Sequence, residues 1–200
     1  IHELEDRVEE KTHEIITIMN TDVITGLKNR RYFEEYSDEL IKTVKRTEKI
    51  VLLYIDQNKY KSIKSMYGKY IAEQTLKKVG NRIEDIVAGE GGLAAAYGED
   101  VFVAVFKIAG FYEQGKTIAD KIIQYCSDTY HVESHAISVT LNIGISCYPI
   151  DAKNTEELVR NADYAMNQAR KGGYNRIQKY DYQSAVNLHH KDKIEMRSEE

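Results

Sequence analysis

The chain has 200 residues, 42% hydrophobic and 30% charged, and a formal net charge of −4. That length and apolar content suit one domain with a core of its own. No apolar run approaches the roughly 18 residues that span a bilayer, and a pI near 5.9 argues against bulk electrostatic binding of nucleic acid, so no nucleic acid and no direct membrane contact is expected.

Residues 1–20 read as a helix. Ile1, Leu4, Val8, Ile15 and Ile18 take the a and d positions of a seven-residue repeat, with Lys11 in the remaining d slot. Two readings stay open: a helix folding back on its own domain, or a coiled-coil connector pairing with a second copy to make a homodimer. The chain begins mid-pattern and stops in a charged run, as expected of a piece of a longer protein.

A polar break at Asn20-Thr21-Asp22 precedes a helix over about 29–46, with Phe33, Tyr36, Leu40, Ile41 and Val44 on one stripe. Ile50 to Ile55 is short and wholly apolar, which predicts a central strand buried on both faces and ending at Asp56. A short helix over about 59–66 stops at Gly68, and a longer one over about 70–87 turns Ile71, Leu76, Val79, Ile83 and Ile86 inward. Residues 93–97 and 101–107 flank Gly98-Glu99-Asp100 as a hairpin. A helix over about 111–126 follows. Alternation over 137–146 predicts one strand, Thr155 caps a helix reaching about Lys171, and a last strand covers about 175–180. The order is that of an α+β, ferredoxin-like fold with a mainly antiparallel sheet flanked by helices.

Cys126 and Cys147 fall in different elements with no CxxC spacing, and read as reduced thiols. His189-His190 in the charged tail reads as solvated surface rather than a metal site. Chemistry has better candidates in Asp56, at the carboxyl end of the central strand, and Asp100, in the hairpin. If the two strands are neighbours, these carboxylates meet at one sheet edge, an arrangement suited to Mg²⁺ shared with substrate phosphates. By pattern alone each also has an ordinary reading, as a cap or as turn chemistry.

Several segments bear a resemblance that adds to this reading. Thr25-Gly26-Leu27-Lys28-Asn29-Arg30-Arg31-Tyr32-Phe33 resembles the TGLxNRRxF opening of the GGDEF family, the diguanylate cyclases. Asp56-Gln57-Asn58-Lys59-Tyr60-Lys61-Ser62-Ile63 is similar to its DxDxFKxI segment. Asn142-Ile143-Gly144-Ile145 stands at its SIG, and Ala162-Asp163-Tyr164-Ala165-Met166, Ala169-Arg170 and Gly173-Tyr174-Asn175 follow its ADxALYxAKxxGrN ending. The resemblance implies a nucleotidyl-cyclase palm that, as a dimer, joins two GTP molecules into cyclic di-GMP with Mg²⁺. It implies metal binding at Asp56, Gln57 and Asp100, a catalytic role for Asp100, and nucleotide contacts at Lys61, Lys64, Glu73 and Arg170.

The sequence departs from the family where GTP is recognised. The signature reads Gly98-Glu99-Asp100-Val101-Phe102, so the second glycine is Glu99 and the fourth, acidic position is Val101. The guanine-reading Asn and Asp fall on Lys64 and Glu73. The phosphate-binding Lys is Arg170, which keeps its charge, and the Arg of the GRN step is Tyr174. Gly89-Glu90-Gly91-Gly92 lacks the RxxD of the family's inhibitory product site, so feedback by cyclic di-GMP there is not expected. The expectation is a catalytically impaired domain, with a working cyclase, or one of altered nucleotide choice, as alternatives. The expected organisation is a connector over 1–20, a GGDEF-like domain over 21–181 and a charged tail over 182–200. In that tail Lys193-Ile194-Glu195-Met196 resembles the lead into a phosphodiesterase (EAL) domain. The expected location is cytoplasmic, as part of a larger signalling protein, with a membrane anchor elsewhere in it as one option.

Overall fold

The computed structural model describes residues 2–110 and 112–186; His189-His190 and the Lys193–Met196 segment lie outside the described residues. Its elements are α1 (His2–Asn20), α2 (Arg30–Thr43), β1 (Lys49–Gln57), α3 (Tyr60–Tyr67), α4 (Lys69–Gly89), β2 (Leu93–Ala96), β3 (Val101–Ile108), α5 (Glu113–Cys126), β4 (Thr129–Val132), β5 (His135–Ser138), β6 (Leu141–Tyr148), α6 (Thr155–Lys171) and β7 (Arg176–Lys179). The main sheet runs β2-β3-β1-β6-β7, and only β6–β7 is parallel. This is the expected α+β, ferredoxin-like palm, with a mixed central sheet.

β1 is buried on both faces, as its unbroken apolar run requires. Val51, Leu53 and Ile55 point to the side covered by α3, α4 and α5, and Ile50 and Leu52 to the side covered by α2 and α6. The same alternation sends Asp56 toward α6 and Gln57 toward the opposite layer. The strand is longer than its apolar run suggests: Asp56 pairs with both Val101 and Asn142, so it lies inside the sheet rather than beyond it.

α6 lies directly on β6 because Gly144 has no side chain. A Cβ there would stand 1.9 Å from the Ala162 carbonyl oxygen and 2.3 Å from the Met166 nitrogen. The cap of α6 is Asn154, whose Oδ1 accepts from Glu157 N at 2.8 Å, and Thr155 is the first helical residue instead of the cap.

The single strand expected over 137–146 is two. β4 and β5 form a separate two-stranded hairpin turning at Glu133, and the chain joins the main sheet only at Leu141. The alternation continues unbroken through Val139-Thr140, so periodicity cannot report that the strand changes partners there.

α1 buries no residue; Leu4, Val8, Ile15 and Ile18 are all more than half exposed. It is fastened at its C-terminal end. Asn29 N and Nδ2 donate to Asn20 O at 2.9 Å and Met19 O at 2.8 Å, and Arg31 donates to Asn20 Oδ1 at 2.9 Å. One residue before Asn29, the Lys28 carbonyl accepts from Ala96 N at 2.9 Å, tying this joint to the edge strand β2.

Candidate functional site

The carboxyl end of β1 opens into a cleft of about 860 Å³ bounded by the β1–α3 loop, the start of β3 and the C-terminal half of α6. Asp56, Gln57, Lys61, Asp100 and Arg170 all border it. The register explains the meeting of Asp56 and Asp100: Val101 stands opposite Asp56, and Gln57 N donates to the Asp100 carbonyl at 3.0 Å. These two carboxylates therefore share one edge, as the hairpin pattern predicts.

Their electrostatics follow from burial. Asp56 is 5% exposed, and desolvation holds its carboxyl above the usual range even though Arg170 opposes the shift. Arg170 donates to Asp56 Oδ1 at 2.9 Å. Desolvation also raises Asp100, and Glu99 adds to the rise. The charge of Asp100 in turn pushes Asp56 upward, so both gain from a nearby cation. Among the described residues no group of three or more His, Cys, Asp or Glu converges on one point. The donor set is two carboxylates, which fits a hard cation completed by water and substrate phosphates, as Mg²⁺ prefers, and not an all-protein cage.

One side of the cleft is basic. Lys59, Lys61, Arg170 and Lys171 border the cleft, and no side chain caps the N-terminal turn of α3, whose backbone N–H groups remain donors for an anion. Lys59 adopts a left-handed conformation at φ 62° and places its ammonium 4.8 Å from the Tyr174 ring centre.

Lys64 and Glu73 do not border this cleft. Lys64 reaches from α3 to the hairpin turn and forms an ion pair with Glu99, which thereby points toward α3. Glu73 meets Lys69 at 3.6 Å. The two pairs feel each other, Glu73 acting on Lys64 and Lys69 on Glu99. Glu90, in the stretch without RxxD, is held by Lys121 of α5.

Sequence reasoning missed the group that holds the cleft's frame together. Asn142, fully buried on β6, donates to Asn58 Oδ1 and to the Gly173 carbonyl, both at 3.1 Å, and accepts from Arg176 N at 3.0 Å. Asn175 seals the same corner by accepting from Leu141 N at 3.0 Å. The available signal was one polar residue inside the apolar stretch Leu141–Ile145. Asp163, Asn167 and Tyr54 also border the cleft and were not singled out for it.

A βα loop with paired carboxylates beside a basic α6, on this sheet order, defines a nucleotidyl-cyclase-type palm. The family described as "Diguanylate cyclase, GGDEF domain" matches residues 19–176, and the chain belongs to it. It is 29% identical over 163 residues to the bifunctional diguanylate cyclase/cyclic di-GMP phosphodiesterase MucR of Pseudomonas aeruginosa, covering 81% of this chain and 24% of that protein. It is 26% identical over 175 residues to diguanylate cyclase A of Treponema denticola, covering 82% of this chain and 45% of that one. The GGDEF domain of YfiN (TpbB) from P. aeruginosa superposes with a TM-score of 0.74 at 26% identity, over 78% of this chain and 98% of that structure. The coiled coil and GGDEF domain of DgcB from Caulobacter crescentus, solved with c-di-GMP, shares the fold at TM-score 0.79 and 21% identity, over 89% and 94% of the two chains. The chain thus spans less than half the length of these curated relatives. Among the described residues no helix is long and apolar enough to cross a membrane.

Proposed function

We propose that this chain is a GGDEF domain of cyclic di-GMP signalling that is impaired as a cyclase and works as a regulatory, dimerising module holding a nucleotide's phosphates. One observation carries the reading: charged groups in the cleft and beside it are bonded to one another, Arg170 to Asp56 within it and Lys64 to Glu99 at the adjoining hairpin turn. A substrate must break these pairs before it can use either partner, which subtracts from binding and from transition-state stabilisation alike.

Asp56 and Asp100, with Gln57 beside them at the cleft's edge, are the residues that would hold Mg²⁺, and the ion would neutralise phosphate charge shared with Lys61 and Arg170. Asp100 is the residue that would serve the reacting hydroxyl if catalysis remains. Residues 1–20 would pair with a second copy, and 182–200 would lead from the domain over 21–181 into a further domain, with an EAL phosphodiesterase as the partner in the same chain. The bifunctional character of MucR supports that arrangement. A cytoplasmic location, as part of a larger signalling protein, accords with GTP as ligand.

The competing reading, an active cyclase making cyclic di-GMP from two GTP, draws on the survival of Asp56 and Asp100 at one sheet edge. Incubating the purified chain with Mg²⁺ and GTP and assaying cyclic di-GMP by mass spectrometry decides between them. No product, with GTP binding seen by calorimetry, is the expected result. Product that disappears in Asp100→Ala would refute impairment.

A further inference from the structure

We propose that the Lys64–Glu99 ion pair makes this cleft a receptor for the polyphosphate group of a nucleotide irrespective of its base; the inference rests on the phosphate-binding reading above and narrows its ligand class. Beside the cleft lies a second hollow of about 340 Å³, bounded by Ile24, Leu76, Gly98, Glu99 and Phe102. It is large enough for a planar ring, and it shares only Val101 with the lining of the phosphate cleft. Glu99 stands on the wall of this hollow, gripped by Lys64, which reaches across from α3.

A nucleotide with its phosphates among Lys59, Lys61, Arg170 and Lys171 has two directions for its base. Toward the hollow, it meets the Glu99 carboxylate on the wall, clamped there by Lys64. The polar side chains on its wall are already partnered, Glu99 by Lys64 and Asp22 by the Thr25 N–H and hydroxyl, which both donate to Asp22 Oδ2. Toward solvent, the base meets the half-exposed ring of Tyr174 at the cleft's rim. Stacking on an aromatic ring is tolerant of base identity, since every base has a π face. The phosphates and their cation therefore carry the affinity common to every nucleotide, and stacking on Tyr174 treats guanine and adenine alike.

The test is calorimetric titration of the chain, in excess Mg²⁺, with GTP, ATP and inorganic tripolyphosphate. The dissociation constants of GTP and ATP are expected to agree within about threefold, well short of the tenfold step that 1.4 kcal/mol of base recognition would produce. The double variant K64A/E99A keeps the net charge and opens the hollow; its preference for both nucleotides over tripolyphosphate is expected to exceed that of the natural chain by about tenfold. The charge-swapped variant K64E/E99K re-forms the pair and is expected to return to indifference, with thermal melts confirming that both variants fold. A preference of the natural chain for GTP of about tenfold or more over ATP and tripolyphosphate overturns the inference and leaves the proposed function standing. So does equal binding of all three ligands by K64A/E99A. Failure of tripolyphosphate and both nucleotides to bind overturns the phosphate site on which both readings rest.

Discussion

Replacing Gly144 by alanine tests how α6 is held on the sheet. The added Cβ would lie 1.9 Å from a backbone oxygen of the helix, where ordinary contact begins near 3.4 Å, so α6 must retreat by 3.4 − 1.9 = 1.5 Å or the strand must yield as much. Neither obstacle is a flexible side-chain end; both belong to helical backbone. The retreat loosens Leu158, Val159, Ala162, Ala165, Met166 and Ala169, the buried apolar face of α6. A gap of even 0.5–1 Å forfeits about a quarter to a half of each dispersion contact, and overpacked cores commonly lose about 1–3 kcal/mol. With a whole helix displaced, the expected loss is about 3 kcal/mol or more, against a total stability of about 5–15 kcal/mol. Urea unfolding followed by circular dichroism reads this as a midpoint lower by about 1.5 M, at a slope of about 2 kcal/mol per M. Gly89→Ala is the control. Gly89 ends α4 with nothing within 4 Å of the place its Cβ would take, and its alanine variant is expected to gain about 0.5 kcal/mol. A Gly144→Ala protein within about 0.5 kcal/mol of the natural chain would refute the close-approach argument.

Other expectations follow from particular residues. Leu4→Asp with Ile15→Asp should convert a dimer to a monomer in analytical ultracentrifugation while leaving the melting temperature of the domain unchanged, because α1 buries nothing in its own fold; a persistent dimer would count against the connector. Asn142→Leu should cost about 2–4 kcal/mol, since it strips partners from Asn58 Oδ1, the Gly173 carbonyl and Arg176 N together; a neutral variant would show that the corner stands without it. Burial pushes the Cys126 thiol from an ordinary 9.0 up to about 12 and Cys147 up to about 11. The unfolded chain therefore releases these protons first, and stability falls as pH rises from about 9 through the folded values. Chemical unfolding at stepped alkaline pH checks the slope, and a thiol reagent at neutral pH should label neither cysteine before unfolding.

Much of the fold was legible because burial leaves a periodic trace. The all-apolar run at Ile50–Ile55 placed β1 in the middle of the sheet, and the helical stripes of α2, α4 and α6 found their faces. The β4–β5 hairpin was not legible, because alternating residues look the same whichever sheet they join. At the site, Asp56 and Asp100 could be paired on the condition that their strands are neighbours, which β1 and β3 are, and Arg170 and Lys61 were picked out by motif spacing. The orientation of Glu99 could not, since a turn residue's direction depends on what lies opposite, here Lys64 on another element. Asn142 was hidden for a related reason: its three partners come from two segments distant in the chain, one at Asn58 and one at Gly173–Arg176.

The joint at Asn20–Asn29 has a mechanical meaning. A helix that buries nothing in its domain cannot push on the core; it can only pull or twist through its fastening. Torque on α1 enters through the Asn29 and Arg31 hydrogen bonds, and Lys28 hands it to Ala96 on the sheet's edge. Ala96 stands three residues before Glu99. Whatever rotates α1 thus has its shortest lever on the hairpin turn, the loop that carries both Asp100 at the cleft and Glu99 in its pair with Lys64.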